Sequence, residues 1–192
     1  MTGIAAWRVF AGRRLAQARG LCAATVLALF TLAGCGGTSV AGDDGIAVVS
    51  ECVPFARVVA EIPIYGNAAD WWSRAAGRYA RLQTPAVGSV LVFRRTSRLP
   101  YGHVAVVSRV LSSRRVLLTH ANWVPHRISE DALSIDVSPD NDWSQVRVWW
   151  PPSRGLGATT YPTFGFVRTD RPLQSEQIAA NARRFVMVAT RD

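Results

Sequence analysis

Lysine is missing from this 192-residue chain; all 22 basic side chains are arginine. Cysteine and histidine are scarce, three of each. No basic run carries interleaved aromatics and no nucleic-acid-binding motif is present, so nucleic acid is not expected as a partner. The main apolar run, residues 21–32, is too short for a comfortable transmembrane span. No segment repeats. What the chain does have is the composition of a globular body, with 49% hydrophobic and 18% charged residues.

Residues 1–34 read as an export signal. Arg8, Arg13, Arg14 and Arg19 make a positive start, residues 21–32 an apolar core, and Leu32-Ala33-Gly34-Cys35 follows directly. That tetrapeptide resembles the bacterial lipobox. The resemblance implies lipid on Cys35 and an exported protein anchored to a membrane, facing the periplasm or cell wall. Residues 35–46 are Gly-rich and polar and read as a flexible tether. Beyond the leader, 18 arginines face 13 acids. This surplus reads as solvated surface arginines; attraction to an anionic polymer is the other reading. Cys22 leaves with the leader and Cys35 takes the lipid. Cys52 is then the lone thiol of an exported domain and has no disulfide partner.

After Cys52, the spacing of Phe55, Val58, Val59 and Ile62 predicts one buried helix face, stopped by Pro63. Ser50 or Glu51 could cap this helix, and Pro54 suits its first turn. Cys52 in that turn meets unpaired N–H groups and the positive end of the helix dipole, which favour a thiolate. A second helix start is read at Asn67, with Trp71, Ala75 and Tyr79, or Trp72, Ala76 and Tyr79, facing inward. From Pro85 the texture changes to strands: residues 88–93, 103–110 and 116–122, then segments near Ile128, near 135–137 and at 146–150. Helices first and then an antiparallel sheet predict an α+β domain over residues 47–152. Residues 153–192 read as a loop-like extension of unknown role with a short helix at 175–185.

A cysteine hydrolase needs a thiolate, a base beside it and a group that orients the base. Cys52 is the nucleophile candidate. His103 is the base candidate, at the start of an apolar strand and after Gly102, which would permit close backbone approach. Asn122 and His120, two residues apart, would share a strand face and could both meet His103. His126 reads as surface.

These residues carry a family resemblance. Glu51-Cys52-Val53-Pro54-Phe55-Ala56-Arg57, Gly66-Asn67-Ala68 with Trp71 and Trp72, and Pro85-Ala86-Val87-Gly88-Ser89-Val90-Leu91-Val92-Phe93 come in order. Gly102-His103-Val104-Ala105-Val106-Val107 and Asn122-Trp123 follow. The set, over roughly residues 50–150, resembles the CHAP family of cysteine- and histidine-dependent amidohydrolases/peptidases. The resemblance implies a papain-like fold and hydrolysis of amide bonds in peptidoglycan, by amidase or endopeptidase action without metal or other cofactor. Its site would be Cys52, His103 and Asn122. One departure stands out: many members carry a Glu two residues before this Asn, where this chain has His120. His120 either takes the missing role or fills the space. Two other readings stay open. One is a non-catalytic peptidoglycan- or partner-binding lipoprotein with a degenerate site, and the other a zinc site from Cys52, His103 and His120, whose spacing fits no structural zinc motif.

Overall fold

The computed structural model describes residues 46–47 and 51–189. The export signal read over residues 1–34, the lipid attachment at Cys35 and the tether up to residue 45 lie outside the described residues. Ile46, read as the end of the tether, belongs instead to a short strand.

The elements run β1 (Ile46–Ala47), α1 (Cys52–Val59), a 3-10 turn (Ala68–Asp70), α2 (Trp71–Arg74), β2 (Ala80–Leu82), β3 (Val90–Phe93) and β4 (His103–Ser112). They continue with β5 (Arg115–Ala121), β6 (Arg127–Asp136), β7 (Gln145–Trp150), a 3-10 turn (Pro151–Ser153), β8 (Gly155–Leu156), β9 (Tyr161–Arg168) and α3 (Ser175–Ala189). The sheet is antiparallel throughout. Strands β6, β5, β4, β3, β9 and β7 are neighbours in that order, and β7 pairs back onto β6, so the sheet closes into a barrel. The α+β expectation holds in this form.

Closure explains the continuous apolar texture of β3 and β4. A strand covered on both faces needs apolar side chains on both. Val90, Val92, Val104 and Val106 point outward into the cluster with Phe55, Val59 and Trp71. Leu91, Phe93, Ala105 and Val107 point inward, against Val116, Leu118, Trp143 and Phe166. The period-two alternation therefore sorts one run of residues into two cores.

Several local expectations change. Helix α1 buries Phe55, Ala56 and Val59, while Val58 is 42% exposed. The helix stops at Val59, and Ile62 is buried from the loop that follows. Asn67 makes no side-chain cap, and the second helical segment is a 3-10 turn followed by the single turn of α2. Trp71 and Ala75 are buried, whereas Trp72 stacks on Phe164 (6.0 Å, 12°). The segments near Ile128 and at 135–137 are one ten-residue strand, β6.

The largest correction concerns the residues beyond 152. The stretch read as a loop-like extension contains β9, which lies between β3 and β7 and also pairs β2. Without β9 the barrel would be open. The ladder shifts register between Val92 and Phe93 on the partner strand. Gly165 lies opposite that shift at φ +120°, where a Cβ would meet the Leu82 carbonyl at 2.5 Å. Pro162 and Gly165 hid this strand in the sequence, since both residues usually signal an edge or a break. Helix α3 then covers α1: Phe185 meets Phe55 edge to face at 5.3 Å, and Asn181 donates to the Val59 carbonyl at the end of α1.

Candidate active site

Glu51 is extended (φ −91°, ψ 157°) and precedes Cys52, the first residue of α1. The Glu51 side chain does not cap the helix; its carboxylate accepts from Asn122 Nδ2 at 2.8 Å. Cys52 is half-buried and not disulfide-bonded. Burial pushes its thiol above the ordinary value. Backbone hydrogen bonding by Val104 pulls it down, the charge of Glu51 adds to the rise, and the Cys52 and Val53 backbone pulls down again. The expected help from the helix start is therefore present but outweighed by desolvation. Cys52 and His103 line one cleft of about 470 Å³, together with Gly66, Asn67, Tyr101 and Asn122.

His103 opens β4 and is buried. Gly102 decides its approach. At φ +75°, a Cβ on Gly102 would sit 2.6 Å from the Ala69 nitrogen and 2.7 Å from the Phe93 carbonyl oxygen. The neighbouring Tyr101 carbonyl accepts from that Ala69 N–H at 3.0 Å. Only glycine fits there, so the loop is stitched to the 3-10 turn and the ring enters the barrel wall at one angle.

The residue that meets His103 is His120. Their Nε2 and Nδ1 atoms are 3.0 Å apart, and His120 is fully buried. Asn122 does not meet His103, contrary to its expected role. Strand β5 ends at Ala121, and Asn122 adopts φ +60°, which breaks the alternation that would have put it on the face of His120. Its amide oxygen accepts from the His126 N–H at 2.9 Å while its Nδ2 holds Glu51. Asn122 thus ties the residue before the cysteine to the turn after β5. His126 is exposed, as read.

Aromatic rings surround the histidine pair. Phe93 lies 5.5 Å from His103, Trp123 lies 5.1 Å from His103, and Trp123 stacks on His120 at 5.5 Å and 24°. Trp123 was legible only as part of a motif; its role as the wall beside both rings needed the fold. Burial lowers His103 to about 3 and holds His120 well below its ordinary value, with the charge of His103 contributing to the latter. Neither ring touches a carboxylate among the described residues, and His120 Nε2 is buried without a partner. Among the described residues no three of His, Cys, Asp and Glu converge as metal ligands, so the zinc reading finds no cluster to support it.

Residues 41–122 match the family described as the CHAP domain. CHAP domains are generally amidases or peptidases. No curated protein matches the chain. Among solved structures it is similar to "The crystal structure of Ly7917", at 13% identity and a TM-score of 0.36. That similarity covers 65% of this chain and 55% of the other, so the chain spans little more than half of that structure's length.

Proposed function

We propose that this protein is a peptidoglycan amide hydrolase whose nucleophile is Cys52, whose base is His103 and whose base-orienting residue is His120. The observation that carries the reading is the 3.0 Å contact between His103 Nε2 and His120 Nδ1 beside the Cys52 cleft. With Nε2 engaged, Nδ1 is the nitrogen of His103 left to take the thiol proton. That requires a bare Nδ1, so Nε2 carries hydrogen and donates to His120 Nδ1. His120 then holds its own proton on Nε2, the atom without a partner, a strain of about 1–3 kcal/mol by the usual cost of a buried unmade hydrogen bond. The sulfur attacks the amide carbonyl as its proton passes to His103, which later protonates the leaving amine. The Cys52 backbone N–H, at the start of α1 with no acceptor inside the helix, is suited to the developing oxyanion. The packing of a cysteine-bearing helix on a strand that starts with the histidine supports a papain-like arrangement. Asn122 acts through Glu51 on the position of Cys52.

Anchoring belongs to the same proposal. Lipid on Cys35 would hold an exported domain to a membrane and present the cleft to the wall. Cys35→Ala should move the protein from the detergent phase to the aqueous phase in a phase-partition experiment; wild type found in the aqueous phase would remove this part.

The central test is digestion of purified sacculi, with released fragments identified by mass. Wild type should release peptide or amide cleavage products. Cys52→Ala should release none, and His103→Ala almost none. A second reading draws on the missing carboxylate beside His103: a degenerate site that binds the wall without cutting it. An inactive wild type that still pellets with sacculi would favour that reading.

A further inference from the structure

A second cavity, of about 360 Å³, adjoins the cleft over Cys52; Arg98, Leu99 and Asn122 line both. One wall is Trp123, the ring stacked on His120. Tyr161 of β9 meets that ring edge to face at 5.0 Å, and Val148 and Trp150 of β7 and the turn at Gly157 complete the lining. Those residues lie beyond the stretch matched by the family, so this lining is contributed by the part of the barrel that completes the fold.

Charge separates this cavity from the cleft. Glu51 lines the cleft, where Asn122 holds it; among the described residues no acid lines the second cavity. Three arginines occupy the loop between β3 and β4. Arg94 donates to the Thr163 carbonyl and lies over the Phe164 ring, and Arg95 pairs with Asp70 at 2.6 Å. Arg98 is exposed and, among the described residues, has no hydrogen-bond, ion-pair or ring partner. An unpaired guanidinium above an apolar, aromatic hollow is complementary to a carboxylate on a short aliphatic chain.

We infer that the second cavity is a substrate subsite that takes a carboxylate-bearing arm of the cell-wall peptide. Arg98 receives the carboxylate, and Trp123, Trp150 and Tyr161 cover the aliphatic part, while the amide to be cut lies over Cys52. The inference rests on the hydrolase reading of the cleft. Because Trp123 separates the subsite from His103, filling it also presses on the wall that holds the base.

The test uses full-length protein carrying Cys52→Ala, so that binding is read without turnover. A synthetic alanine- and glutamate-containing peptide is titrated with its carboxylates free and, separately, amidated, by calorimetry and indole fluorescence. The free acid should bind about tenfold tighter than the amide, the scale of one charge-assisted contact. Arg98→Gln should erase that preference, Arg98→Lys should keep part of it, and Trp150→Ala should weaken both peptides alike. In the active protein, Arg98→Gln should raise KM for the free acid about tenfold with kcat unchanged. Equal affinity for acid and amide, or a preference that survives Arg98→Gln, overturns the subsite. A carboxylate preference in a wild type that never cleaves supports the subsite and removes the hydrolase reading. Cleavage without any preference does the reverse.

Discussion

Cys52 and His103 border one cleft but are held in opposite ways. The cysteine side is polar and half-open: Glu51 is clamped by Asn122, and backbone groups of Val104, Cys52 and Val53 act on the sulfur. The histidine side is sealed by Phe93, Trp123 and a second imidazole, with no carboxylate against either ring among the described residues. Polar clamps position the cysteine, whereas ring packing positions the histidine. A neutral partner such as His120 can fix the tautomer and direction of His103 but stabilises an imidazolium less than a carboxylate would. Burial accordingly favours the neutral form on both sides, raising the Cys52 thiol and lowering the His103 imidazole.

The strongest way to break this contrast is to remove one orienting group on each side. His120→Ala should lower kcat about 10²–10³-fold with little change in KM, since base orientation matters most in the transition state. Asn122→Ala, which loosens the cysteine clamp and the turn after β5, should cost about tenfold, in the range of one lost hydrogen bond to a charged group. Steady-state kinetics on soluble wall fragments checks both, and the reverse order would return Asn122 to the role of orienter. His120→Glu sharpens the same point. A carboxylate against His103 Nε2 raises its pKa, so the acid limb of kcat/KM should move to higher pH while neutral activity is kept or increased.

Gly102→Ala tests the joint between the two sides. Its Cβ would overlap the Ala69 nitrogen and the Phe93 carbonyl at a left-handed φ. A loss of about 2–3 kcal/mol in urea unfolding is expected, with a fall in kcat as β4 shifts. Wild-type stability in this variant would mean the loop tolerates a different path.

The acid response tests the histidine side alone. Burial holds His103 near 3 and His120 well below its ordinary value, while unfolding returns both toward 6.5. The unfolded chain then binds more protons below 6.5. Stability is full above that pH and falls as the pH drops below 6.5, for His103 down to about 3, by about 1.4 kcal/mol per unit for each histidine that stays neutral in the fold. Urea midpoints between pH 7 and 4.5 should show a shallower decline for the double variant His103→Gln, His120→Gln. An unchanged slope would mean that other groups set it.

Cys52 at a helix start, Gly102 before a strand-opening histidine, and the alternating apolar runs of β3 and β4 were legible in the chain itself. Each depends on neighbours within a few residues, where backbone geometry and periodicity act. The match to the CHAP family falls on this same half. Beyond residue 152 local signals misled: β9 carries Pro162 and Gly165 yet sits inside the sheet, because its pairing with β2, β3 and β7 overrides propensity. Asn122 misled for a related reason. Two-residue spacing puts it beside His120 only while the strand continues, and a single residue at φ +60° turns its amide to Glu51. What the sequence by itself determined was which groups stand ready for chemistry and the local elements that carry them. Which of them meet was decided by tertiary structure, since barrel closure joins residues far apart in the chain and one backbone torsion at a strand end chooses the face a side chain presents.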